Sequence, residues 1–450
     1  MRVIVLMGLA WVTGCVIPER PERSPLSRHI DAVLGPRSHL VEGAVSLGSV
    51  GHRLRVDRLA RRPGFVGGER TFFSLEIVEG KRTIVFPPLT HQWWPSHVGM
   101  EGKAAGLHLV ERKFITSDDR VVDLVTLRNE TRETRELLLR ISSDMREGVL
   151  HTGGEEIRER RMTLAPGETI SIPVEMVFDG SAGRASSPRF FSDYLEKYNG
   201  WFEKRIPDFE CPDPWFVKLW YYHWFLVRKS LDWNPIAPNE TRWLRGVRFP
   251  DPVEGLPAVE HRFGAKFERL FDPDQFWAPF PARLEVGGKV TGMRENVLVL
   301  EALATVLREG EIPTVTRRRF FDFLQRMVHA QFEGGDFQRP RVGDFLESDT
   351  GKWTTDRREL VEIPYADLLI RFVGGVVPRG DETLEFHPLV DHFSSFRFRG
   401  IPYHGAILEI VWDAPDGIDA YGDGVEGYSV RRDGETLFTV RELKRIEWTD

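Results

Sequence analysis

A chain of 450 residues with 41% hydrophobic content can bury a sizeable core and is too long for one ordinary domain, so two or three are expected. Its formal net charge of -7 comes from 68 acidic and 61 basic residues interspersed along the chain, which excludes the basic field that a nucleic-acid partner requires. The 13 Trp residues suit large mixed cores or surfaces that stack on sugar rings, with core packing the default.

The chain opens with Met1-Arg2, an apolar run from Val3 to Val12, then Thr13-Gly14-Cys15 and a polar, Pro-containing stretch. The run is far below the roughly 20 residues that cross a bilayer, so it reads as a signal peptide; the alternative is a buried first strand. Val12-Thr13-Gly14-Cys15 resembles a bacterial lipobox, which implies lipidation at Cys15. The expectation is an exported lipoprotein of a bacterial envelope, with 1–15 as signal peptide, 16–37 as tether and the lipid as sole membrane contact. Cys211 would then be the only other cysteine, which rules out a disulfide framework or a Cys-based metal site.

Residues 38–180 read as an antiparallel β-sandwich. Short alternating or β-branched runs (Thr71–Val78, Val121–Leu127, Glu136–Ile141 and Thr169–Val174) are separated by turns such as Ala165-Pro166-Gly167. A small-residue linker spans 181–189, after which apolar spacing changes from two to three or four. Phe190–Lys204 is a predicted helix, and Asp213 and Pro214 cap and open a second over Trp215–Leu231. Two more are predicted at Arg294–Arg308 and Val315–Phe332, with the Pro- and Gly-rich 251–285 ahead of them irregular. From 381 onward strands return, and Arg432-Asp433-Gly434-Glu435 makes a hairpin of the last pair. The expected class is multidomain α+β: a sandwich, a helical domain over 190–380 and a small β unit over 381–450.

Four stretches carry a more specific likeness. They are Phe209–Asp213 with Leu219–Trp224 behind it, Gly343–Trp353, Pro364–Ile370, and Gly400–Gly405 with Ile410–Asp413 behind it. In this order they resemble the first barrel helix, late loop, closing helix and C-terminal β unit of six-hairpin, (α/α)6-barrel glycosidases similar to trehalase, mannosyl-oligosaccharide glucosidase and mannosylglycerate hydrolase. The resemblance implies a glycan partner and, for an active enzyme, inverting hydrolysis of an α-glycosidic bond. That chemistry needs an acid and a base about 6.5–9.5 Å apart across the sugar.

On this likeness Asp344 falls at the position of the base, where the family has Glu, and Glu347 is a second carboxylate in the same loop. The family's acid segment has no counterpart, and Glu240 is the substitute candidate for that role. Trp277, Phe280, Trp353 and Trp243 are the candidate sugar-contacting aromatics, each with core packing as the alternative. Twelve barrel helices with their loops need at least roughly 190 residues. The irregular stretch consumes much of 190–380, so an incomplete barrel is expected. Zinc-type His spacing, a phosphate loop and a nucleophile turn are all missing from the sequence, and no cofactor or metal is expected. The competing expectation is a catalytically degenerate homologue serving as a glycan-binding or structural lipoprotein.

Overall fold

Alternating burial along the strands between residues 64 and 177 builds two facing antiparallel sheets. The computed structural model describes residues 30–36, 46–48, 55–57, 59–67, 70–145, 148–152, 155–156, 158–178, 189–230, 290–309, 316–342, 345–347, 349–350, 352, 354 and 365–449. A short helix, α1 (Ile30–Leu34), and a ribbon of β1 (Ser46–Gly48) and β2 (Arg55–Asp57) come first. There follow β3 (Gly64–Gly67), β4 (Arg70–Glu79), β5 (Arg82–Ile84), β6 (Thr90–Trp93), β7 (Val98–Ala104) and β8 (Leu107–Ile115). Then come β9 (Val121–Asn129), β10 (Arg135–Ser142), β11 (Val149–Thr152), β12 (Glu159–Leu164) and β13 (Thr169–Val177). One sheet runs β11-β13-β9-β8-β7-β6; the other runs β12-β10-β4-β3, with β5 on β4.

Helix α2 (Phe190–Arg205) lays an aromatic stripe against the six-stranded sheet, as the spacing of Phe191, Tyr194, Tyr198 and Phe202 dictates. Tyr194 stacks on Phe114 with centroids 4.3 Å apart, and its hydroxyl donates to the Ser96 carbonyl at 2.7 Å. The Tyr198 hydroxyl donates to the Pro95 carbonyl at 2.9 Å. Asp31 of α1 completes this junction. It accepts from the Ser96 N–H (3.0 Å), the Ser96 hydroxyl (2.6 Å) and the Asn199 side-chain amide (3.0 Å), while its own N–H donates to Asn199 Oδ1 (3.2 Å). Ile30 and Leu34 are buried, so this part of the expected tether is instead packed structure.

Because the single Ser96 hydroxyl proton goes to Asp31, its 2.8 Å contact with His97 Nδ1 is a bond donated by the imidazole. His97 stacks on Trp94 at 4.6 Å, and burial, reinforced by Arg112, holds its pKa down to about 3. Trp93 leaves the same loop for α3 (Pro214–Ser230) and meets Phe225 edge-on at 5.4 Å.

Next come β14 (Asp208–Glu210), which leads into α3, then β15 (Val290–Gly292), α4 (Met293–Glu309), α5 (Arg317–His329), β16 (Phe345–Glu347) and α6 (Tyr365–Phe372). Thr316 caps α5 by accepting from the Arg319 N–H, so this helix is shorter at both ends than periodicity suggests. Helix α3 packs on α1, α5 and α6, and α4 packs on α5.

The chain ends with β17 (Val376–Val377), β18 (Leu384–Phe386), β19 (Ser395–Tyr403), β20 (Ala406–Asp413), β21 (Gly427–Arg432), β22 (Glu435–Val440) and β23 (Ile446–Trp448). These form a three-stranded sheet, β17-β18-β23, and a five-stranded one, β14-β19-β20-β21-β22. The two tight hairpins of the larger sheet turn through two left-handed residues, His404-Gly405 (φ 49° and 76°) and Asp433-Gly434 (φ 50° and 90°), the geometry that suits the strands' twist. Strand β14 belongs to this sheet although it precedes α3, so the C-terminal unit starts in space with residues 208–210.

Asp31→Ala strands three donors at a half-buried junction and should lower the unfolding free energy by roughly 2–3 kcal/mol in a denaturant melt. A double-mutant cycle with Asn199→Ala should give a coupling of about 0.5 kcal/mol or more, since the two side chains exchange hydrogen bonds.

Candidate functional site

Pro212-Asp213-Pro214 starts α3 as its residue types require. Asp213 Oδ1 accepts from the Trp215 N–H at 2.9 Å, and Pro214 occupies the first turn, where its missing N–H costs nothing. The other carboxylate oxygen faces the C-terminal end of α5, accepting from Gln325 at 3.1 Å and standing 3.9 Å from His329 Nε2. Burial opposes the Asp213 charge, but His329, Gln325 and the Trp215 N–H outweigh it and hold the carboxyl below the usual range. Around this cap, Trp215 meets His329 (4.8 Å), Phe332 (4.6 Å) and Phe337 (5.0 Å). Lys218 lies over Phe337 at 4.3 Å and donates to Gln338 at 3.0 Å. Half-buried aromatics and polar groups thus converge where α3, α5 and the 332–340 loop meet, an arrangement sequence reasoning read only as a helix start.

The late loop follows directly. Arg341 N–H donates to the Gln331 carbonyl at 2.7 Å, and β16 then pairs antiparallel with β15, Leu346 opposite Thr291. The loop folds back as a turn, with Glu347 N–H donating to the Lys352 carbonyl (2.7 Å) and Thr354 N–H to the Phe345 carbonyl (3.2 Å). Glu347 is exposed, and its carboxylate accepts from the Thr350 hydroxyl at 2.7 Å, closing the turn. On the other strand Asn296 donates to Thr291 Oγ1 (2.6 Å) and the Gly292 carbonyl (2.7 Å), fixing the β15–α4 corner. Asp344, Glu240, Trp277, Phe280, Trp353, Trp243 and Cys15 lie outside the described residues. Of the sequence-predicted site residues, Glu347 alone can therefore be placed.

A buried charged group that no motif singled out sits between α4 and α6. Arg371 donates to Glu301 at 2.8 Å and to Asp367 at 3.1 Å, and Arg308 donates to the Arg371 carbonyl at 3.1 Å. Burial raises the Asp367 pKa to about 6 despite the opposing pull of Arg371, with Glu301 adding to the rise. The i, i+4 spacing of Asp367 and Arg371 was the available signal. His223, on α3, is fully buried among aromatics. Its ring nitrogens have no hydrogen-bond partner among the described residues, and burial lowers its pKa to about 4. Among the described residues, no group of three or more His, Cys, Asp or Glu side chains could hold a metal ion, and no helix is long and apolar enough to cross a membrane.

No protein-family model matches the chain and no curated protein sequence is similar to it. Solved structures similar to it include a sialidase, with TM-score 0.43 and 14% identity over 81% of this chain and 62% of that one. Another is described as a kojibiose phosphorylase from the human microbiome, with TM-score 0.39 and 8% identity over 94% of this chain and 96% of that one. The chain thus spans less than two thirds of the sialidase's length. Both names are those of carbohydrate-active enzymes, but at these TM-scores the likeness is one of loose layout and identifies neither fold nor activity. What the structure does define is a mixed α+β chain built mostly of antiparallel sheet.

Two measurements probe the α3 region. Asp213→Ala removes the cap and should cost about 1 kcal/mol of stability, more if the Gln325 amide finds no other acceptor. For His223, the folded pKa of about 4 lies below the ordinary 6.5, so the unfolded chain takes up a proton that the folded chain refuses. His223→Phe should therefore gain stability relative to the parent as pH falls from 6.5 towards 4, reaching roughly 3 kcal/mol, with a constant difference above pH 7.

Proposed function

We propose that this chain is an exported, carbohydrate-active protein of glycoside-hydrolase type, derived from a six-hairpin architecture with a shortened helical domain. The observation that carries the reading is the packing together of two stretches that resemble that family in sequence, the first helix and the closing helix, alongside the strand that leads into the third. Phe209 of β14 stacks on Phe398 of β19 at 4.5 Å, and Trp220 of α3 meets Phe398 at 5.7 Å. Trp220 also donates to the Pro207 carbonyl at 2.9 Å. The closing segment, α6, packs on α3, and its following turn accepts at the Gly374 carbonyl from the Tyr428 hydroxyl at 2.7 Å. Stretches up to about 190 residues apart in sequence thus share one core, as parts of one ancestral design would.

For an active enzyme, Asp344 would be the base that activates water and Glu240 the candidate acid. A second reading, glycan binding without hydrolysis, draws on the commitments of the described carboxylates: Asp213 caps a helix, Asp367 pairs with Arg371 and Glu347 closes a turn. Export and a lipid on Cys15 are part of the proposal and rest on the N-terminal pattern.

The test is incubation of the purified chain with α-linked gluco- and manno-oligosaccharides, reading both bound and released sugar. Release that Asp344→Asn lowers by about 10²–10⁴-fold supports the hydrolase. Binding without release supports the second reading, and neither binding nor release rejects both. Membrane fractionation that finds the parent in the envelope and Cys15→Ser in the soluble fraction supports the anchor; identical partitioning rejects it.

A further inference from the structure

The inner face of the six-stranded sheet carries three charged side chains in an otherwise apolar sandwich core. Glu111 and Lys113 lie two residues apart on β8 and so point to the same side, and Lys113 stands directly opposite Asp123 on β9. All three are 0% exposed. Glu111 Oε1 accepts from the Gly64 N–H of the facing sheet at 2.8 Å, and Glu111 Oε2 is 3.3 Å from Lys113 Nζ. Nζ also reaches the Gly64 carbonyl (2.5 Å), the Arg62 carbonyl (3.1 Å) and Met100 Sδ (3.3 Å). Gly64 presents both its N–H and its C=O to this group from a left-handed conformation (φ 97°), in which a Cβ would meet the Phe73 carbonyl oxygen at 2.6 Å.

Asp123 is the unsettled member. Among the described residues no donor group hydrogen-bonds to its carboxyl oxygens, and its one side-chain neighbour of that kind is the Glu111 carboxyl. Burial and the adjacent Glu111 charge, only partly offset by Lys113, hold the carboxyl well above the usual carboxylate range. Lys113, Glu111 and Asp123 therefore share a site closed to solvent. Directly opposed residues have Cβ atoms about 4.5–5.5 Å apart, a gap that a flexible lysine stem spans.

We propose that Lys113 and Asp123 join as a side-chain amide, with Glu111 moving the protons. The Lys113 ammonium gives one proton to the Glu111 carboxylate, and the freed amine attacks Cγ of the neutral Asp123 carboxyl. The Cγ–OH bond then breaks, the departing hydroxyl takes a second nitrogen proton by way of Glu111, and one water leaves. Nitrogen keeps its third proton, and Glu111 ends neutral. No oxidant or co-reactant is needed. The driving force is local: an ammonium and a carboxylate that are costly in an apolar core are both extinguished, and the amide N–H retains the Gly64 carbonyl as acceptor. The link would fasten β8 to β9 covalently in a sandwich that has no cysteine, since the two in the chain are Cys15 and Cys211.

Tryptic mapping of the full folded chain decides the matter. Cleavage after Arg112, Arg120 and Arg128 should yield Lys113–Arg120 and Val121–Arg128 as one branched species, one water lighter than their sum and uncut after Lys113. Glu111→Gln, which cannot accept the proton, should give the two peptides separately. Free Val121–Arg128, with Phe114–Arg120 released by cleavage after Lys113, as the main products of the parent overturns the proposal. A link formed equally well in Glu111→Gln overturns the role given to Glu111. Should that variant not fold, the parent's map alone decides whether the bond exists.

Discussion

The sandwich and the helices are held together by one half-buried carboxylate. Asp31 gathers the Ser96 N–H, the Ser96 hydroxyl and the Asn199 amide, and so ties the N-terminal helix, the 93–97 loop and α2 to a single point. A charged acceptor with several donors is worth more than the same number of neutral bonds. Much else follows from where this point lies. With Ser96 fixed, Tyr194 and Tyr198 find backbone carbonyls for their hydroxyls, His97 is held neutral between Trp94 and Phe191, and Trp93 is aimed at α3. The Trp93-Trp94-Pro95 loop is the seam between the sandwich and the helices.

A second constraint closes the other side. Strand β14 arrives from α2 and joins the edge of the C-terminal sheet before the chain turns into α3, with Arg397 and Arg399 both donating to Glu210. The strand covers residues 397–399 of β19 and sets the direction in which α3 departs. Helix α3 can be aromatic nearly all round because it is covered by α1, α5, α6 and β14. The cost of so complete a burial is a neutral His223 in an apolar setting.

Charge placement bears on function in the same terms. Asp213, Glu347 and Asp367 are each engaged by a specific partner and so held in one geometry, unlike a base free to approach water. The glycosidase reading therefore turns on Asp344 and Glu240, and the glycan-binding reading on aromatic surface such as that around Trp215 and Phe337. The buried Glu111, Lys113 and Asp123 follow the opposite logic: three ionisable groups closed to solvent and packed against one another, the setting of the amide proposed between Lys113 and Asp123.

Local patterns determined a good deal. Period-two alternation gave the sandwich strands, three-to-four spacing gave α2 to α5, Asp213-Pro214 gave the start of α3, and Asp433-Gly434 gave the last hairpin, because each depends on backbone geometry and the nearest few residues. Only tertiary structure decided what those elements meet. That residues 30–34 are core and not tether, that β14 belongs to the C-terminal sheet, that Trp93 serves a seam and Glu347 a turn, and that Lys113 faces Asp123 across a strand pair, are all long-range facts. They depend on burial and on contacts between segments tens to hundreds of residues apart, and a sequence pattern with a period of two or four carries no information at that distance.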